Sequence, residues 1–246
     1  MTYCVGLRLD QGLVFGSDTR TNAGFDNISI FRKMHIWERP LDRVIVLLTA
    51  GNLSVSQSVI SKLNEAIDNA YESGTPAITS AETMFQVARM VGEAIREVRA
   101  VDGEALEAGG GRFSASFILG GQIQNEPSRL FQIYSEGNFI EATKDTPFFQ
   151  IGEHKYGKPV LDRVTRPDMT MGEAAKAVLL SFDSTLRSNL SVGMPIDLLL
   201  YNRDTLKLGE HRRIDADDAY FQRLSAGWEH GLRDAFDSIE SYPVER

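Results

Sequence analysis

Cysteine occurs once in the 246 residues, as Cys4, so no disulfide can close within the chain and a reducing compartment suits it. Histidine occurs four times, and no Cys/His spacing matches a zinc site, so neither metal nor cofactor is expected. The 26 Lys and Arg residues are outnumbered by 34 Asp and Glu, a net charge of -8, and the cations form no cluster. Binding phosphates at physiological salt needs clustered cations, so the reading excludes nucleic acid and an anionic membrane surface as partners. No apolar run approaches the roughly 20 residues that cross a bilayer. The opening Met-Thr-Tyr-Cys-Val-Gly has neither the basic region nor the apolar run of a signal peptide. The expected location is the cytoplasm. No linker or repeat divides the sequence, and residues 1–246 are expected to form one domain.

What is present reads as strands and helices in alternating blocks. Residues 3–9 and 13–16 form two strands around Asp10-Gln11-Gly12, a polar turn suited to a hairpin. Ile28, Ile30, Met34 and Ile36 alternate through Lys33, and Val44–Leu48 is a continuous apolar run suited to a buried strand. Beyond Gly51 the period becomes helical: Val55, Val59, Leu63, Ile67 and Ala70 share one face until Ser73-Gly74-Thr75-Pro76. Thr79 and Glu82 read as a capping box for a second helix carrying Met84, Val87, Val91, Ile95 and Val98. Strands return at 113–119, 130–134 and 138–142. Thr170 and Glu173 form a further capping box, opening a helix with Ala174, Val178, Phe182 and Leu186. Strands follow at 196–201 and 207–214. A long last helix, about 215–240, carries Phe221, Leu224, Trp228, Leu232 and Ile239 on one face before Pro243. This order suggests two sheets between helical layers.

A threonine directly after the initiator methionine, at the start of a strand, carries the chemistry. Aminopeptidases generally remove Met1 before a small residue, which leaves Thr2 with a hydroxyl and an α-amine on adjacent carbons. The neutral amine, of reference pKa about 7.7–8.0, can take the hydroxyl proton near neutral pH. A nearby lysine would lower the amine's pKa and stabilise the forming alkoxide, and Lys33 is the candidate. Taken singly these features are ordinary: threonine is common at position 2, and Asp18 can be a strand-end residue.

Together they resemble a proteasome β-type subunit. The resemblance rests on Thr2, the segment Gly16-Ser17-Asp18-Thr19-Arg20, Lys33, and Ala50-Gly51 after an apolar strand. Met1-Thr2-Tyr3-Cys4-Val5-Gly6, Ser188-Asn189-Leu190-Ser191-Val192-Gly193 and the long C-terminal helix are similar, more narrowly, to the bacterial ancestral β-subunit group, the proteasome-type proteases called Anbu. The resemblance implies an α+β, four-layer αββα sandwich of the N-terminal nucleophile hydrolases. It implies Thr2 as nucleophile and proton acceptor, Asp18 paired with Lys33, the Gly51 N–H as oxyanion donor, and Ser191 hydrogen-bonded to the Thr2 amine. Arg20, Phe31, Thr49 and Leu53 would lie near the pocket for the residue preceding the scissile bond, which could take apolar or acidic side chains. The implied activity is threonine-type peptide hydrolysis, in a homo-oligomer forming a ring or an open helical array.

Two departures stand out. Where the family has a Gly/Ser-rich segment that brings a serine beside the nucleophile, this chain has Ile151-Gly152-Glu153-His154-Lys155-Tyr156-Gly157, with Glu153 or His154 as substitutes in proton relay. Ser188 stands where an aspartate is common. Hydrolysis of a small amide, and an assembling subunit without turnover, therefore stay open as alternatives. No Walker-type phosphate loop is present, so ATP-driven unfolding would need a separate partner.

Overall fold

The computed structural model describes residues 2–22 and 28–244; Met1, on whose removal the mechanism above depends, lies outside them. The chain opens with a hairpin of β1 (Tyr3–Leu9) and β2 (Gly12–Asp18), in register Cys4 to Ser17 and Leu9 to Gly12. A two-stranded ribbon follows, β3 (Arg20–Asn22) and β4 (Ile28–Ile30), and then β5 (Met34–Arg39) and β6 (Arg43–Gly51). After helices α1 (Leu53–Ser73) and α2 (Met84–Ala108) come β7 (Ala115–Ile123), β8 (Arg129–Ile133), β9 (Phe139–Glu141) and β10 (Phe148–Gly152). Helices α3 (Lys158–Val164) and α4 (Met171–Ser188) precede β11 (Ile196–Asn202), β12 (His211–Ile214) and α5 (Ala219–Ser238).

The strands form two five-stranded antiparallel sheets, in the orders β10-β1-β2-β11-β12 and β5-β6-β7-β8-β9. Three buried clusters separate four layers. Phe15, Leu48, Ile118 and Ile151 lie between the sheets. Helices α1 and α2 cover the second sheet through residues such as Val59, Val91 and Ile95, which meet Ile45 and Phe117. Helix α4 covers the first sheet, with Val178 and Phe182 against Tyr3, Val5 and Val14. This is the αββα sandwich expected.

Three glycines set the spacing of these layers. A Cβ on Gly6 would lie 2.9 Å from Ile118 Cγ2 across the sandwich, and one on Gly120 would lie 2.6 Å from Phe15 Cζ. On the opposite face of β2, a Cβ on Gly16 would lie 2.7 Å from Val178 and Phe182 of α4. The bulky side chains occupy the space these residues lack, at interior packing density.

Helix ends follow the side-chain chemistry at most positions. Asn52 Oδ1 accepts from Ser54 N–H at 3.0 Å to start α1, and Gly74, at φ 69°, ends it with its N–H on Ala70 O. The capping box at Thr170 and Glu173 forms with both bonds in place. The one expected at Thr79 and Glu82 does not: Thr83 caps α2, accepting from Gln86 N–H at 3.1 Å. Thr79 instead lies in a turn where the Ser80 hydroxyl bonds the Ala77 backbone. The final helix also stops short of its expected end, at Ser238, five residues before Pro243. Its apolar stripe finishes little of the core, since of α5 only Phe221 is buried, while Leu232 is 51% and Phe236 77% exposed.

Candidate active site

Thr2 precedes β1 by one residue, so its position is set by how β1 is clamped. Tyr3, Cys4, Val5 and Leu7 are completely buried, and β1 pairs on both edges, with β2 and with β10. The Tyr3 hydroxyl donates to Ser181 Oγ on α4 at 2.9 Å and accepts from Gln150 Nε2 on β10 at 2.6 Å. The strand end beside Thr2 is therefore fixed to the helical layer as well as to the sheet. Burial pushes the Tyr3 phenol far above its ordinary range, and it stays a neutral anchor.

Asp18 ends β2, fully buried. Its Oδ1 accepts from Lys33 Nζ at 2.6 Å and from the Tyr3 N–H at 3.0 Å. Its Oδ2 accepts from the Gly193 N–H at 3.4 Å. Lys33, between β4 and β5 and 3% exposed, donates also to Arg20 O at 2.6 Å. Burial pushes the Asp18 carboxyl above its ordinary value, while the Lys33 ammonium and the two N–H groups pull it down. The ammonium is thus held by two oxygens beside the strand that follows Thr2.

The other wall is made by two loops. Thr2 O accepts from Glu153 N–H at 2.6 Å, immediately after β10. Gly152, at φ 81°, lies so close that any Cβ there would overlap the Thr2 carbonyl, so only glycine suits both the dihedral and the approach. Glu153 itself is buried, and its carboxylate meets the side chain of Asn189 in the loop after α4. Ser191 is half-buried in that loop, its N–H held by Asn189 Oδ1 at 2.9 Å. Ser188 lies elsewhere: exposed at the end of α4, it lines a 550 Å³ groove against α5 with Trp228 and Phe236. His154 is exposed, its ring nitrogen 3.3 Å from Gly152 O.

The remaining expected residues ring the same end of the sandwich. Gly51 closes β6 at φ 113°, where a Cβ would strike Ser114 O. Thr49 is buried, its N–H on Lys33 O at 2.9 Å and its carbonyl 3.6 Å from Cys4 Sγ. Leu53 opens α1, and Phe31 follows β4, 36% exposed, with its N–H on Thr19 O. Arg20 reaches the Ser191 loop, donating to Leu190 O at 3.0 Å and lying across Gly193 where a side chain would otherwise sit. Sequence reasoning missed Tyr3, Asn189 and Gly193, which act through contacts 15 to 178 residues distant. The one available signal was Tyr3's place between Thr2 and Cys4. Among the described residues there is no group of three His, Cys, Asp or Glu that could hold a metal ion, and no helix is long and apolar enough to cross a membrane.

Two antiparallel sheets between helical layers, with a threonine just before β1 and a buried Asp–Lys pair bonded to the N–H of the next residue, define a proteasome-type fold. The family model for the proteasome subunit matches residues 2–199, and the chain belongs to that family, in its Anbu branch. An Anbu (Gly-1) mutant from Hyphomicrobium sp. strain MC1 is 56% identical, covering 99% of this chain and 100% of its own, with a TM-score of 0.92. Anbu from Yersinia bercovieri is 43% identical over 99% of this chain and 100% of its own, with a TM-score of 0.91. A structure titled as the helical assembly of the Anbu complex from Pseudomonas aeruginosa is 47% identical over 98% of each chain, with a TM-score of 0.92. Among curated proteins no match is found.

Proposed function

We propose that this chain is a threonine-type N-terminal nucleophile hydrolase that cleaves peptide bonds, with Thr2 as nucleophile once Met1 is removed. The observation that carries the reading is Asp18 Oδ1, which accepts from both Lys33 Nζ and the Tyr3 N–H and so ties a buried ammonium to the residue bonded to Thr2. The Thr2 α-amine takes the hydroxyl proton as Oγ1 attacks the amide carbonyl. The Lys33 ammonium favours the neutral amine and the developing alkoxide. The Gly51 N–H receives the oxyanion. Collapse of the tetrahedral adduct expels the amine product with the proton, and water then hydrolyses the Thr2 ester by the same base. Ser191 bonds the amine, and Arg20, Phe31, Thr49 and Leu53 border the substrate. No cofactor is required.

The subunit works in the cytoplasm as a homo-oligomer, since one copy cannot exclude folded proteins. The helical assembly of the Pseudomonas aeruginosa relative and the exposed apolar residues of α5 support an open array here.

The test is intact mass before and after a peptide epoxyketone, which needs both the hydroxyl and the free amine. The expected result is loss of Met1, one adduct on the wild type and none on Thr2→Ala. Retained Met1 without an adduct would overturn the hydrolase and leave the non-catalytic assembling subunit. An adduct without cleavage of any peptide would leave the small-amide hydrolase.

A further inference from the structure

The proposed chemistry uses one side of Thr2 and leaves unexplained a buried charge on the other. Glu153 is 6% exposed, and all three hydrogen bonds described to its carboxylate come from neutral donors. Oε1 accepts from the His154 and Lys155 N–H groups at 2.9 and 2.8 Å, and Oε2 accepts from Asn189 Nδ2 at 2.6 Å. The Glu153 N–H holds Thr2 O, and Asn189 Oδ1 holds the Ser191 N–H. A single run of bonds therefore joins the Thr2 carbonyl to the Ser191 turn through one carboxylate and one amide. Its polarity is fixed. A carboxylate only accepts and a backbone N–H only donates, so the Asn189 amide has one workable orientation.

We propose that Glu153 is a positioning residue: its carboxylate, acting through Asn189, holds the Ser191 turn in place against the residue that bears the nucleophile. The role rests on the reading of Thr2 as nucleophile. Glu153 touches no reacting atom. It fixes the Ser191 hydroxyl relative to the Thr2 amine, a geometry on which proton transfer depends steeply. Glu153 lies next to the Thr2 carbonyl and across from Asn189, and so joins the two on the β10 edge of β1, as Asp18 joins the Tyr3 and Gly193 N–H groups on the β2 edge.

The arrangement allows a test by reversed polarity. In Glu153→Gln, Oε1 still serves the two backbone donors, but Nε2 meets Asn189 Nδ2, donor against donor. Turning the Asn189 amide over moves the clash to the Ser191 N–H. In Asn189→Asp two carboxylates face each other. The double variant Glu153→Gln/Asn189→Asp restores the run, with the Gln amide donating to one aspartate oxygen and the Ser191 N–H to the other, at unchanged net charge. The rate constant for epoxyketone adduct formation at saturation is measured, with amide exchange of the segment containing Ser191.

Each single variant is expected to lose about tenfold or more in rate, with faster exchange at the turn, and the double variant to return to within about threefold of wild type. A Glu153→Gln protein with wild-type rate and exchange overturns the proposal, as does a folded double variant no better than the singles. Should Glu153→Gln fail to fold, Asn189→Ala, which leaves both backbone donors on Oε1, is expected to show the same loss, and a wild-type rate there overturns the role. If the wild type forms no adduct, the nucleophile reading falls. Amide exchange then decides the tether separately: restoration of protection in the double variant supports it, and unchanged protection in the singles overturns it.

Discussion

The two buried carboxylates on either side of Thr2 are held in opposite ways. Asp18 faces a full cation, and burial dominates, so its carboxyl is pushed above the ordinary value. Burial also raises Glu153, but there the N–H of Lys155, the amide of Asn189 and the N–H of His154 outweigh it, and the group is held below its ordinary value. A few aimed dipoles stabilise a buried anion as well as an ion pair does, provided the backbone has already placed them. The difference has a functional sense. The Asp18 side holds an ammonium next to the proposed reacting atoms, where a charge is needed. The Glu153 side needs only shape.

The sharpest way to break the comparison is to remove the cation. Lys33→Met leaves the Asp18 charge buried without its ammonium, which costs about 3–5 kcal/mol of stability. It should also abolish adduct formation, a far larger loss than Asn189→Ala, where only a neutral donor goes. Denaturant unfolding and intact mass on the same preparations check both.

A smaller effect separates the two groups by pH. Because the folded-state value of Asp18 is raised, it takes up a proton above the ordinary carboxylate value of 3.8, and the Lys33 counter-charge is lost. Glu153 is lowered, so its contribution to stability is complete above its ordinary 4.5 and disappears only as pH falls through the lower folded value. The Thr2 amine and Asp18 both take up protons at higher pH than Glu153 does, so the acid limb of adduct formation should lie at higher pH than acid unfolding. Rates and near-UV circular dichroism across pH 3 to 7 would show the two curves apart.

The smallest effect comes from His35, a half-buried base near the start of β5. Burial, with Arg32 alongside, lowers His35 from 6.5 to about 4. The unfolded chain takes up this proton first, so stability should fall as pH drops from 6.5 towards 4. His35→Asn should flatten that part of the unfolding curve and leave the adduct rate unchanged.

How far the site was legible from sequence follows the same division. Thr2, Asp18, Lys33 and Gly51 lie on or beside strands whose alternation or apolar runs are strong, but it is the resemblance to proteasome subunits that groups them; the structure pairs Asp18 with Lys33 and bonds Asp18 to the residue after Thr2. The Asp18–Lys33 pairing is close in sequence, 15 residues apart. The Glu153–Asn189 contact spans 36 residues and joins two loops with no period to read. The strand Phe148–Gly152 and the helix Lys158–Val164 were missed because five and seven residues are too short to show a pattern. Thr79 and Glu82 have the spacing of a capping box, but Thr83 competes for the same role and wins by lying next to Met84. The stripe on α5 reads as core by periodicity, and no property of one helix reveals whether anything covers it.

Phe15, Ile118, Val178 and Phe182 sit in notches that exist only because residues 6, 16 and 120 have no side chain. Layers keyed together at three points cannot slide past one another by small steps. They separate only by losing every notch together, so the sandwich should come apart in one cooperative transition, and evolution can adjust the loops at its rim without disturbing its register.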